Sequence, residues 1–131
     1  MILGIGIDIV SNLRIKNIIE KYGDKFKKRC FTLNEIKKSE YSNNDKIICS
    51  YAKRYAAKEA VAKALGTGLA RGIMWKDIEI LNNKYGKPFI KLQNQALKKL
   101  NKLSKFKTKI EVSLSDEINY SIANVVIFYE K

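Results

Sequence analysis

Glu59 and Lys63 stand four residues apart in RYAAKEAVAKALGTG (54–68), a stretch that reads as one helix closed by glycines. At that spacing their side chains lie one turn apart on the same face. An ordinary surface helix fills such a face with long charged residues. Here its other members are Ala52, Tyr55, Ala56 and Gly66. Small residues around a Glu/Lys pair let something dock closely, although a solvated i,i+4 ion pair, worth ~0.2–0.5 kcal/mol, explains the two residues as simply. A second carboxylate, Asp8, lies in the apolar run ILGIGIDIV (2–10). A carboxylate there needs a cation, hydrogen bonds or a metal, because burying it alone is costly. A lysine would meet that need. So would Mg2+, which takes one or two carboxylates together with substrate phosphates and water.

Other chemistries are excluded by what is missing. The chain has no histidine, so no Ser/His/Asp triad can form, and with no CxxC the usual zinc ligand sets are absent. Cys30 and Cys49 are the only cysteines, which reads as two free thiols in a reducing compartment, hence the cytoplasm. Gly66-Thr67-Gly68 serves first as a helix cap and turn, and could also present backbone N–H groups to a phosphate. Ser113 and Ser115 share a strand face with Glu111, either solvated or lining the same cleft.

The elements that must position these residues follow from periodicity. Residues 2–10 read as a buried strand with Leu3, Ile5, Ile7 and Ile9 on one face and Gly4, Gly6 and Asp8 on the other. Two glycines beside a carboxylate leave room for another backbone or a ligand. A helix is expected from Leu13 to Tyr22, a basic turn over 24–29, and a short helix from Leu33 opened by a Thr32/Glu35 capping box. After a polar loop at 42–45, the long helix runs from Lys46 to Leu65 with Ala57, Ala60, Val61, Ala64 and Leu65 toward the core. Asp77–Leu81 and Phe89–Leu92 form a hairpin, Asn94–Leu103 a helix with Leu97, Leu100 and Leu103 inward, and Ile110–Ser115 and Tyr120–Tyr129 a second hairpin. This order predicts an α+β fold, mainly antiparallel sheet with helices packed on it, in a single domain over 1–131.

The 26 basic residues against 13 acidic ones give a net charge of +13. The excess is mostly lysine spread along a chain also rich in Ile and Asn, a composition that A+T-rich codons produce. Charge therefore points to an acidic partner or phosphates rather than to nucleic acid as such. No run of about 18 apolar residues exists to span a membrane, and the apolar start suits a strand better than a signal peptide.

GIGIDIV (4–10), FTLNE (31–35), RYAAKEAVAKALGTG (54–68), KDIEI (76–80), GKP (86–88) and EVSLSDE (111–117) run in that order over nearly the whole chain. Together they resemble the holo-[acyl-carrier-protein] synthases. The resemblance implies a phosphopantetheinyl transferase fold in a homotrimer with active sites between neighbouring subunits. It implies Mg2+-dependent transfer of the phosphopantetheine arm of coenzyme A to a serine of apo acyl carrier protein, for fatty-acid biosynthesis. On the same resemblance Asp8 and Glu59 match magnesium ligands and Lys63 a lysine on the phosphates. Arg54, Gly66, Thr67, Gly68, Pro88 and Ser113, with Lys63, fall where coenzyme A is held. Arg14 matches a carrier-protein contact, which Lys21, Lys25 and Arg29 continue as a basic surface. The serine proton would pass to Glu59 or to a water on the metal. One departure stands out: where the family carries His-Val-Ser-x-Ser/Thr-His, Glu111 and Asp116 replace both histidines. A carboxylate at 111 would repel a phosphate unless it turns away or pairs with a lysine. Two other readings remain: a transferase serving polyketide or peptide-synthesis carriers, and a basic nucleic-acid-binding module stacking bases on Tyr51, Tyr55 and Tyr85.

Overall fold

Two glycines decide how the first strand meets the longest helix. The computed structural model describes residues 1–70 and 72–131, and in it β1 (Ile2–Ser11) lies directly against α4 (Ile47–Leu65). A Cβ at Gly4 would run into the Ala64 carbonyl oxygen, and one at Gly6 into that of Ala60. The glycine face of the strand and the alanine face of the helix thus let two backbones touch, as the spacing predicts. β1 pairs antiparallel with β5 (Tyr120–Tyr129), which pairs antiparallel with β4 (Thr108–Asp116), giving the order β1-β5-β4. Val10, Val112, Ala123, Val125 and Ile127 line the helix-facing side and are buried.

The predicted burial of the other face of β1 is overturned. Ile5, Ile7 and Ile9 are 63%, 55% and 61% exposed, and of the four only Leu3 packs against the core. Alternation identified an apolar face correctly, but the helix takes the glycine face, and no element among the described residues covers the other.

The remaining elements follow their local signals. Ser11 caps α1 (Asn12–Tyr22) by accepting from the Arg14 N–H. The expected basic turn is instead a helix, α2 (Asp24–Cys30), entered through Gly23 at φ 53°. The Thr32/Glu35 capping box opens α3 (Leu33–Glu40), as expected. β2 (Ile78–Asn82) and β3 (Pro88–Leu92) make a separate antiparallel hairpin. In α5 (Asn94–Lys102) Leu100 is buried and Leu103 packs against the core as expected, while Ala96 takes the inward place expected of Leu97, which is 40% exposed. The whole is α+β with antiparallel sheet throughout.

α4 differs most from its sequence reading. Ala52 and Ala56, expected on an open face, are fully buried along with Ala57 and Ala60. Small residues here let the surrounding elements close in, rather than leaving space for a ligand. Lys58 is also fully buried, 2.7 Å from the equally buried Glu35. Its ammonium donates to the carbonyls of Trp75 and Ile78, and Glu35 accepts from the N–H groups of Thr32 and Ile80. One ion pair thereby locks α3, α4 and β2 together. Burial pulls the Lys58 ammonium below the usual lysine range, and the Glu35 charge pulls back.

Candidate active site

The strand and helix that touch through Gly4 and Gly6 also bring Asp8 and Lys63 together. Lys63 Nζ lies 3.1 Å from Asp8 Oδ1 and donates to the Ile7 carbonyl at 2.8 Å. The expected i,i+4 pair with Glu59 is not made among the described residues; Lys63 reaches across to the strand instead. Glu59 is half-buried and has no ion-pair partner there. Burial first, then the nearby Asp8 charge, raises its carboxyl above the usual range, while Lys63 and Arg14 oppose the shift. Asp8, Glu59 and Lys63 therefore form one group with Arg14 at its edge.

Its donor set suits an ion that shares its ligands. No cluster of three or more His, Cys, Asp or Glu side chains capable of holding a metal forms among the described residues. Glu59, whose ionisation burial and the Asp8 charge make costlier, would nevertheless gain with Asp8 from a divalent cation completed by a ligand's oxygens, which is how Mg2+ binds. Asp8 and Glu59 fit that role.

Beside this group, α1, α2 and α4 enclose a cleft of about 530 Å³ lined by Ile18, Tyr22, Lys25, Phe26, Arg29 and Trp75, among others. Tyr55 stacks on Trp75 with ring centroids 4.7 Å apart, and the Arg14 guanidinium lies 5.9 Å from the Tyr55 centroid. The cleft floor is aromatic and its rim basic. Lys21 stays outside it, over the Tyr22 ring. Tyr51 is fully buried and Tyr55 half-buried, so of three aromatics considered for base stacking only Tyr85 is exposed.

The other predicted residues gather elsewhere. Arg54 is 6% exposed and donates to Ser50 Oγ at 2.7 Å and Asn82 Oδ1 at 3.1 Å, with Nε left without a partner among the described residues. Burial lowers its pKa. Asn82 pairs with Pro88 in the hairpin register, and Lys87 holds Glu111 at 3.2 Å across to β4. Asp116 pairs with Lys53 at 3.1 Å. Both carboxylates that stand in for histidines are thus paired with lysines. At the end of α4, Gly66 donates to Lys63 O and Thr67 to Ala62 O, so these two amides close the helix, and the turn can meet a ligand only through its other groups.

Ser113 exposes the division. It is in register with Asn124, and Asn124 with Ile7, so it lies on the uncovered face of the sheet. Asp8, the next residue along β1, points to the helix-facing side. Asp8 and Ser113 occupy opposite faces of one sheet, and within one chain cannot line one pocket. Sequence reasoning missed Lys58 and Glu35, although Lys58 falls on the buried stripe of Arg54, Val61 and Leu65 at helical spacing.

Fold and site define a class: the 4′-phosphopantetheinyl transferase superfamily, whose family model matches residues 4–124. The holo-[acyl-carrier-protein] synthase of Ehrlichia chaffeensis is 48% identical over 131 residues, covering 99% of each chain. The crystal structure of holo-[acyl-carrier-protein] synthase from Neisseria meningitidis superposes with a TM-score of 0.84 at 36% identity, covering 98% of this chain and 99% of that one. That of the Helicobacter pylori synthase, in complex with coenzyme A, gives 0.80 at 30% identity over 95% and 99%. The chain belongs to the holo-[acyl-carrier-protein] synthase family.

Proposed function

We propose that the chain transfers the phosphopantetheine arm of coenzyme A to a serine of apo acyl carrier protein, with Mg2+, in support of fatty-acid biosynthesis. The convergence of Asp8, Glu59 and Lys63 carries this reading. Asp8 and Glu59 would hold Mg2+, and the ion when bound neutralises charge gathering on the pyrophosphate. Lys63 meets the same oxygens as a compact point charge. The serine hydroxyl attacks the phosphorus bearing pantetheine, that phosphorus separates from the bridging oxygen, and adenosine bisphosphate leaves. With Asp8 engaged by Lys63, Glu59 is the carboxylate left to take the serine proton.

Coenzyme A is held by Lys63, the turn at Gly66, Thr67 and Gly68, and by Arg54, Pro88 and Ser113. Because Ser113 and Asp8 face opposite sides of the sheet, a complete site draws Ser113 from a second copy. A homotrimer provides that, and the uncovered apolar face bearing Ile5, Ile7 and Ile9 supports it. The aromatic cleft with Arg14, Lys25 and Arg29, and with Lys21 beyond it, receives the acidic carrier, whose encounter opposite charge speeds. No helix among the described residues is long and apolar enough to cross a membrane, and two free thiols suit the cytoplasm.

The test is to mix the protein with apo acyl carrier protein, coenzyme A and Mg2+ and weigh the carrier. A phosphopantetheine-sized gain is expected, lost on chelation. No gain with any of several carriers would end this reading. Sedimentation should give three times the chain mass, and Ile7→Lys should reduce it to the monomer.

A further inference from the structure

We infer that the chain carries a second anion site, between α5 and the turn after α4, that takes a small phosphate-bearing ligand. Gln95, Lys98, Lys99 and Lys102 recur at i, i+3, i+4 and i+7 along α5 and form one wall of a cleft of about 230 Å³. Thr67 and Ile73 form the other wall. Two features of this cleft bear on what it could take.

The first is its electrostatics. Lys98 and Lys102 are four residues apart, and Lys99 and Lys102 three, so like charges face one another along the helix and repel. None of the three makes an ion pair among the described residues, so nothing there offsets the repulsion. Lys99 is half-buried, which confines its charge near the cleft. A dianion between the helix and the turn would turn this repulsion into attraction and give each ammonium a charge-assisted hydrogen bond.

The second is an orphan hydroxyl. Among the described residues Thr67 Oγ1 is buried and without a hydrogen-bond partner, a state that buried polar atoms rarely keep. Its backbone N–H is spent on the Ala62 carbonyl as part of the helix cap, so the side chain alone is left to meet a ligand. Both walls of one small polar cleft therefore carry hydrogen-bonding side chains, with the Thr67 hydroxyl just beneath its surface. Inorganic phosphate and the phosphoryl end of a larger molecule share the chemistry it recognises. The site shares Thr67 with the turn proposed to hold coenzyme A but otherwise stands apart from the transferase reading, since Gln95, Lys98, Lys99 and Lys102 have no part in that reading and Asp8, Glu59, Lys63 and Arg54 have none in this one.

The experiment is an amide NMR titration of the full chain with inorganic phosphate, ionic strength held constant with chloride. Saturable shifts are expected at Thr67 and over 95–102. Lys98→Gln with Lys102→Gln should weaken binding at these amides by about tenfold or more, and Thr67→Val by about threefold. Lys84→Gln, which removes one charge from the exposed tip of the β2–β3 hairpin, should leave it unchanged. Shifts reproduced by chloride alone, shifts confined to Arg54 and Lys63, or equal weakening by Lys84→Gln would each overturn the site. Adenosine 5′-monophosphate then separates the two sources. Saturation at 95–102 by both compounds supports a phosphoryl end, and saturation by phosphate alone supports the free ion.

Discussion

Two of the lysine–carboxylate contacts that α4 carries lie five residues apart and are built on opposite terms. Lys58 and Glu35 are both fully buried, and their remaining hydrogen-bonding capacity is used by backbone groups from two further segments. Lys63 is half exposed and Asp8 partly so, and a second carboxylate, Glu59, stands nearby with no ion-pair partner among the described residues. Saturation leaves the first pair nothing to offer a ligand. The second group keeps an unspent carboxylate and an accessible cation, as a site that must bind and release its ligand requires. The same two residue types on the same helix thus serve packing in one case and chemistry in the other, and burial with partner count tells them apart.

The largest expected effect breaks the buried pair. Lys58→Met leaves Glu35 charged in an apolar interior and should cost about 3–5 kcal/mol of folding stability, read as a fall in the denaturant midpoint. Replacing both residues, Glu35→Leu with Lys58→Met, should recover most of that loss, because the desolvation cost disappears with both charges. A double variant as unstable as the single one would mean that the pair's hydrogen bonds to Thr32, Ile80, Trp75 and Ile78, rather than its charge balance, hold the three elements.

At the second group the loss should fall on catalysis. Asp8→Asn and Glu59→Gln are each expected to lower transfer by ~10²–10³-fold, comparable to removing one preorganised electrostatic contact. Their folding stability should change little, since both sites reach solvent. Rate and denaturant midpoint measured on the same samples separate the two outcomes. Destabilisation as large as that of Lys58→Met, with the activity of the folded fraction intact, would make Asp8 and Glu59 structural and erase the contrast along α4.

Much of this was legible in the sequence, and the failures share a cause. Alternation located β1, glycine spacing located its contact with a helix, and Thr32 with Glu35 marked the start of α3. Each of these signals is local. What could not be read was which face meets which. Ile5, Ile7 and Ile9 look like core residues because they are apolar, yet the helix packs on the glycines opposite them. Ala52 and Ala56 suggest an open face because they are small, yet smallness let their neighbours close over them. The meeting of Asp8 with Lys63, 55 residues apart in the chain, depends on the same packing choice. Glu35 served as a capping residue in the sequence, and nothing local revealed that its other oxygen and Lys58 would meet in the core.

The smallest expected effect concerns Glu111, a third lysine–carboxylate contact and the most exposed of those compared. Glu111 and Lys87 are each more than half exposed and 3.2 Å apart, so their attraction is screened, and Glu111→Gln should change stability by no more than ~0.2–1 kcal/mol. Its effect on ligand binding should be easier to see. Lys87 precedes Pro88, and if Pro88 contacts coenzyme A as proposed, Glu111 occupies a lysine near the ligand and sets a negative charge against its phosphates. Glu111→Gln should free the ammonium and tighten coenzyme A binding severalfold at low salt, with the gain shrinking as salt is added. Calorimetric titration at two salt concentrations measures both. An unchanged affinity at low salt would place the phosphates away from Glu111. The Lys87–Glu111 contact would then be only a link between the hairpin and the sheet, and the histidine departure would carry no consequence for coenzyme A.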